Sequence, residues 1–468
     1  ENFLTKHCNI IYQGMGTESY IDVNEVMSCK VAKINWTGRK VYIGVDLAMT
    51  NDNCAVAMVS EDDNEILADV FAFIPEGRIE EKNKFEKIKK VTKETQLKNP
   101  DIKLIDMGVG EPDKMADMSL VNILSIEAAK SENRFYADNG ILEFQEAACR
   151  YLKNIYNLDN ILPENIVHGI GSKPVLAMLP MCFINPGDIC LMTSPAYQVL
   201  GTYSKFLGGE VYNLPLCYEN NFYPDFDTIP DTILKRAKLL YLNYPNNPTG
   251  QVATKEFYKK AVDFAHKNDI VIISDLAYGP LVYDGYKPLS ILNIDGAIDV
   301  CIEIHSLSKA FNMTGWRLAF VVGSKKAIQL YSTVKGHTDS GQFRAIQKAG
   351  AYALDNCNLI NSNIDRYSRR FNLLVNILTD VGFKCSKPKG SFYVYVPAPI
   401  GVRDGVKFNS AEEASLYILS KALISTVPWD DCGNFLRFSV TYDANSLEDE
   451  IIIMKELKKR LLSLNLLF

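Results

Sequence analysis

The sequence predicts an α/β protein: a large domain on a mostly parallel sheet, a smaller α+β domain after it, and a short β-rich segment ahead of both. Three observations carry this. From Ile105 onward, short apolar runs alternate with helical patterns, and the runs end in polar residues, as strands do when a site lies along one edge of a parallel sheet. Past about residue 356 the texture changes to strand patterns at Gly390–Val396 and Asn434–Val440, with a helix opened by the capping-box pattern Ser410-Ala-Glu-Glu413. At the other end, the chain is irregular up to about Gly38. It then gives three strand-like runs, Lys40–Asp46, Cys54–Val59 and Ile66–Ala72, separated by Asn/Asp-rich turns, which predicts a β-meander.

At 468 residues the chain predicts two or three domains, and 47% hydrophobic against 23% charged residues is the balance of a globular protein with a large core. A net charge of -6 argues against a nucleic-acid-binding face. No apolar run approaches the roughly 18 residues of a membrane span, and no signal-peptide pattern follows Glu1, so a cytoplasmic protein is expected. The eleven cysteines are scattered and form no C-x-x-C pair, which predicts reduced thiols and no metal site.

Taken in order, Glu80–Lys90 is densely charged, with Phe85, Ile88 and Val91 at helical spacing, and reads as a joining helix. Gly108-Val-Gly110 is a turn. A helix follows from Leu142 to Tyr151. Gly169-Ile-Gly-Ser-Lys173 leads into an apolar helix, Pro174–Cys182, and free N–H groups at such a start bind anions. Ile189–Met192 and Lys238–Leu242 are buried strands, the second running into Asn243-Tyr-Pro-Asn-Asn-Pro-Thr-Gly250. Thr254 is the expected N-cap of a helix to His266, and the strand Ile270–Asp275 ends in an aspartate.

The segment Ser306-Leu-Ser-Lys309 through Gly315-Trp-Arg317 follows the apolar run Val300–Ile304. A lysine at the mouth of a strand, flanked by hydroxyls and a guanidinium, suits a Schiff base to a phosphorylated aldehyde. The amine forms the imine, while Ser306, Ser308 and Arg317 bind a phosphate dianion. Asn247, Asp275, Tyr278, Lys309 and Arg317 follow one another at 28, 3, 31 and 8 residues.

This constellation resembles the fold type I pyridoxal-phosphate aminotransferases. The resemblance implies pyridoxal 5'-phosphate as cofactor, with Lys309 as Schiff-base lysine and proton shuttle. It implies Asp275 against the pyridine nitrogen, Asn247 and Tyr278 on the phenolic oxygen, Tyr197 stacked on the ring, and Ser172 and Lys173 on the phosphate. Gly110 would lie over the cofactor, Arg437 would grip the substrate α-carboxylate, and Tyr136 would reach the cofactor phosphate of a partner subunit. A homodimer with shared sites acting on small amino and 2-oxo acids follows from the same likeness.

Ile304–Arg317, Asp339-Ser-Gly-Gln-Phe343 and Ser425–Asp431 are similar to the LL-diaminopimelate group in particular. That implies transfer of an amino group between glutamate and tetrahydrodipicolinate in bacterial lysine synthesis. His337 or Thr338 stands where that group usually has an asparagine for the distal end of the substrate. Aminotransfer to aspartate or an aromatic amino acid, and a pyridoxal-phosphate lyase, stay open as alternatives.

Gly38–Asp52 with Phe73–Ile79 resembles the opening of a phage terminase nuclease domain, an RNase H-like fold. There Asp46 would be a metal ligand, but the further carboxylates a two-metal site needs are missing, and a nuclease fragment acting on DNA is the alternative from another class. The expected divisions are a truncated terminase-like segment 1–84, an arm and part of the small domain 85–125, a large cofactor-binding domain 126–355, and a C-terminal small domain 356–468.

Overall fold

A computed structural model describes residues 40–46, 54–61, 66–73, 87–88, 90–403 and 405–468. The chain divides into two compact units, Glu1–Val91 and Thr92–Phe468, a little beyond the join read from composition. In the first unit β1 (Tyr42–Asp46), β2 (Cys54–Glu61) and β3 (Ile66–Phe73) pair antiparallel in the order of the chain, the expected meander. Asp46 closes β1. The turns 47–53 and 62–65, and the terminase-like stretch 74–79, lie outside the described residues, as does most of the charged run 80–90.

The second unit is organised on a seven-stranded sheet, ordered β5-β11-β10-β9-β8-β6-β7. Its strands are β5 (Ile166–Gly169), β6 (Ile189–Ser194), β7 (Glu210–Pro215), β8 (Ala237–Leu242), β9 (Val271–Asp275), β10 (Cys301–Ser306) and β11 (Ala319–Gly323). Six run one way and β11 alone runs against them. Helices cover both faces, so the central strands are buried almost throughout; β11 reads as an unbroken apolar run, whereas β10 buries Glu303 and His305 against each other. Alternate residues feed two cores: Leu240, Ile272 and Phe320 on one side, Leu239, Tyr241, Ile273 and Val321 on the other.

Along the first face, α1 (Met118–Ala128) and α2 (Leu142–Tyr156) pack against α7 (Arg344–Asp355). Next in the chain come α3 (Ser172–Met178), α4 (Val199–Phe206), α5 (Lys255–Asn268) and α6 (Lys325–Gly336). The helix expected over Pro174–Cys182 starts at Ser172 and is interrupted after Met178, where Pro180 has no N–H to continue the ladder. Thr254 does cap α5, accepting from Phe257 N–H at 3.1 Å.

The smaller domain joins β12 (Tyr393–Pro397), β16 (Phe435–Ser439) and β15 (Val427–Trp429) with α8 (Asn361–Val381), α9 (Ala411–Ala422) and α10 (Leu447–Ser463). Four two-residue strands complete it: β4 (Ile105–Asp106) pairs β14 (Ile424–Ser425), and β13 (Gly401–Val402) pairs β17 (Leu466–Leu467). β12 starts later than Gly390 because Ser391 takes φ +63°, which keeps that stretch out of the ladder. Only half the capping box forms at α9: Ser410 accepts from Glu413 N–H, whereas Glu413 Oε2 accepts from Asn409 N–H, one residue early.

One expectation fails outright. Cys217, just past β7, is bonded to Cys432, in the loop between β15 and β16, with Cα atoms 5.7 Å apart. A sequence separation of 215 hides this proximity from any reading of spacing. Six other described cysteines are free.

The smaller domain also contains a buried charge cluster. Arg370 on α8 is fully buried; its Nε donates to Glu450 Oε1 on α10 (2.8 Å), and its Nη2 lies 3.1 Å from Asp113 Oδ2, beyond the Gly108-Val-Gly110 turn. Its Nη1 donates to the carbonyls of Val440 and Tyr442. Removing one member of such a group leaves buried charge uncompensated, so Arg370→Met should cost about 3–5 kcal/mol. The check is the midpoint of urea unfolding.

Candidate active site

Because six strands are co-directional, their C-terminal ends share one edge, and the loops there gather the polar residues. A cavity of about 460 Å³ opens at this edge. From the sheet it is lined by Ser172, Lys173, Tyr197, Asn243, Asn247, Asp275, Ala277, Tyr278, Ser306, Ser308, Lys309 and Arg317. From the small-domain side come Gly110, Tyr393, Trp429 and Arg437. Its volume suits a cofactor together with a small substrate.

Lys309 sits in the single helical turn Leu307–Ala310 that follows β10. Its Nζ donates to the Gly110 carbonyl at 2.9 Å. Burial brings its pKa down to about 8; Arg317 and Arg437 push the same way, against Glu111 and Asp275. The amine is therefore partly neutral near physiological pH, as a nucleophile or general base must be.

Asp275 ends β9, fully enclosed, with Oδ1 accepting from Ala277 N–H (3.2 Å). Burial raises its pKa to about 6, opposed by its hydrogen bonds and by the charges of Lys309 and His305. A carboxylate so desolvated is stabilised by a cation delivered to it.

At the other end of the cavity, Ser306 caps the Lys309 turn and accepts from Ser308 N–H. Arg317 adopts φ +55°, fixed by Gln342 Nε2 donating to its carbonyl at 2.8 Å. Gly171 precedes α3 at φ +80°, and a Cβ there would lie 2.3 Å from Arg317 Nη2. Only glycine lets the guanidinium lie across the start of α3. Gly171→Ala should therefore displace Arg317 and weaken binding of the phosphorylated aldehyde expected from sequence by about tenfold or more, read by equilibrium dialysis.

Arg437 projects from β16. Nη1 donates to Asn247 Oδ1 (2.9 Å), Nη2 donates to the Gly108 carbonyl (3.0 Å), and the guanidinium lies 4.0 Å over the Tyr393 ring. Its Nε is buried without a protein partner. Tyr278 hydroxyl lies 3.2 Å from that of Tyr393.

The chain matches the family model for class I and II aminotransferases over residues 102–449. It is 52% identical over 394 residues to the LL-diaminopimelate aminotransferase of Methanocaldococcus jannaschii, covering 82% of this chain and 94% of that protein. The chain belongs to the class I and II aminotransferase family. Another aminotransferase similar to it is the LL-diaminopimelate enzyme of Methanococcus maripaludis, 50% identical over 391 residues, 82% of this chain and 94% of that one. Among solved structures, substrate-bound BacF of Bacillus subtilis aligns at TM-score 0.71 and 34% identity, over 76% of this chain and 90% of that one. An aspartate aminotransferase mutant of Thermus thermophilus aligns at 0.70 and 26% identity, over 79% and 95%. The terminase large-subunit endonuclease model matches residues 1–118.

As an aminotransferase, the chain brings every site residue expected from sequence to one cavity except Tyr136, which is 79% exposed and does not line it. His337 and Thr338 cap the end of α6 and are also exposed away from the cavity. Asn243, Ala277, Tyr393 and Trp429 line the site and were not singled out from sequence. Asn243 and Trp429 stand inside quoted motifs, whereas Tyr393 gave no signal beyond strand alternation.

Proposed function

We propose that this aminotransferase uses pyridoxal 5'-phosphate to move an amino group between glutamate and the 2-oxo precursor of LL-diaminopimelate. The observation that carries the chemistry is the convergence of Lys309, Asp275 and Arg437 on one cavity. The choice of substrate rests on relatives identical at about half their positions.

The residues fit the cofactor. The cradle at Gly171 admits no Cβ, a buried carboxylate lacks a cation, and a buried guanidinium nitrogen lacks a partner. Ser172, Ser306, Ser308 and Arg317 would hold the phosphate with Lys173 at the rim, Tyr197 the ring face, Asp275 the ring nitrogen, and Asn247 and Tyr278 the phenolic oxygen. When bound, the cofactor supplies an aldehyde that takes up the amino group and a ring that withdraws electrons from Cα.

The chain supplies the rest. Arg437, held planar between Asn247, Gly108 and Tyr393, binds the α-carboxylate bidentately and fixes the amino acid. Lys309 Nζ, released from the Gly110 carbonyl, takes the Cα proton. Trp429 and Tyr393 line the cavity from the small-domain side.

A homodimer completes the proposal. Phe135, Tyr136, Leu142 and Phe343 are exposed large hydrophobic residues, and Arg344 ties two of them together by donating to the Tyr136 carbonyl and lying 5.8 Å from the Phe135 ring. In this reading Tyr136, exposed beside Phe135, would reach the partner's site.

Two measurements test the reading. Uptake of pyridoxal phosphate by cofactor-free protein should quicken about tenfold per pH unit below about 8 and level off above it, since only the neutral amine attacks. The visible band of the loaded enzyme should disappear on adding glutamate or LL-diaminopimelate and return with 2-oxoglutarate. A band that responds to aspartate or aromatic amino acids alone would overturn the substrate assignment.

A further inference from the structure

Both oxygens of the Asp275 carboxylate are already engaged from the protein side, and the second engagement comes from a residue outside the cavity lining. Tyr241 on β8 is completely buried, and its hydroxyl donates to Asp275 Oδ2 at 3.0 Å. The parallel register sets Tyr241 opposite Ile273, two residues before Asp275 on the same face of the sheet, so the ring extends along the strand to the carboxylate. Leu239, two residues earlier on that face, is aliphatic in the same core. A tyrosine here places a hydroxyl in an apolar core, which is tolerated only with a partner. Among the described residues that hydroxyl makes one hydrogen bond, the one to Asp275.

We propose that Tyr241 is a positioning residue of the catalytic apparatus: it fixes the Asp275 carboxylate in the ionised form and orientation that keep the cofactor's ring nitrogen protonated. The inference rests on the pyridoxal-phosphate reading above. With Ala277 N–H on Oδ1 and Tyr241 O–H on Oδ2, each oxygen keeps one lone pair for the cavity. A donor on Oδ2 also lowers the basicity of the carboxylate. The proton it shares with a pyridine nitrogen then rests on nitrogen, where it makes the ring an electron sink. Tyr241 stays a donor, because burial and the neighbouring Asp275 charge both oppose loss of its proton. The other groups bearing on Asp275 are Lys309 and His305 from the β10 segment and Tyr278 just beyond β9.

The test loads the full chain with pyridoxal phosphate labelled with ¹⁵N in the ring. The ring-nitrogen resonance is compared between wild type, Tyr241→Phe and Tyr244→Phe, the last losing a similar buried bond, to the Phe222 carbonyl. Tyr241→Phe should shift the resonance towards the unprotonated position and lower kcat about tenfold, with KM for glutamate little changed. Tyr244→Phe should leave the resonance in place. A fluorotyrosine introduced at position 241 preserves the fold and is a stronger donor, so it should shift the resonance the opposite way. Unmoved resonances in both position-241 variants would overturn the proposal while leaving the aminotransferase reading intact. A wild-type protein that takes up no cofactor would overturn both.

Discussion

Replacing Lys309 with alanine should lower transamination by about a thousandfold or more, a loss of about 4 kcal/mol of transition-state stabilisation. The size follows from two duties in one atom. On the proposed mechanism Nζ is both the nucleophile that holds the cofactor and the base that removes the Cα proton, a step for which a positioned base alone contributes about 10²–10⁴-fold. Among the described residues Lys173 is the other lysine lining the cavity, and it is exposed beside Arg317's proposed phosphate cradle. The alanine variant should still bind pyridoxal phosphate through Ser172, Ser306, Ser308 and Arg317, but reversibly. Borohydride treatment of the wild type followed by peptide mapping should put the reduced adduct on Lys309, and an adduct on another lysine would refute the assignment.

Asp275→Asn should act in two directions at once. Without the negative charge the ring nitrogen loses its partner, and turnover should fall about a hundredfold or more while the fold survives. Stability should move the other way. The carboxyl of the cofactor-free protein titrates near 6, above its ordinary value of 3.8, so the folded chain holds this proton more tightly than the unfolded one. Its stabilising contribution is complete below about pH 4 and is lost as pH rises through about 6. Above that range a buried, unneutralised carboxylate costs about 2–3 kcal/mol. Cofactor-free Asp275→Asn should therefore melt higher than cofactor-free wild type at pH 8, with the gap closing towards pH 4. An asparagine variant with near-normal turnover would remove Asp275 from the mechanism.

Much of this was legible in the sequence, for reasons that differ by element. The parallel sheet showed because strands covered on both faces are apolar at most positions, as residues 239–242 of β8 are. The Lys309 and Arg317 segment showed because phosphate binding demands particular side chains at fixed offsets from a strand end. Tyr241 was invisible as a functional residue: within Lys238-Leu-Leu-Tyr-Leu242 a tyrosine is one more buried aromatic, and only strand register reveals what its hydroxyl meets. Tyr393, which stacks beneath Arg437, was hidden in the same way, and the helix expected over Pro174–Cys182 was drawn across Pro180, where the structure breaks it. Tyr136, expected at the site from the resemblance, lies exposed outside this chain's cavity.

The bond between Cys217 and Cys432 also has a topological meaning. It closes a ring of chain containing Asn247, Asp275, Lys309 and Arg317, while Arg437 lies five residues outside the knot and Ser172 and Tyr197 precede it. Closing so long a ring removes many conformations from the unfolded chain, an entropic effect of roughly 5 kcal/mol on the loop-closure model. Opening it with a reductant would leave native contacts such as Ser194 Oγ to Asp431 in place and instead enlarge the space the unfolded chain explores. For this molecule, thiol redox state acts as a dial on the unfolded ensemble.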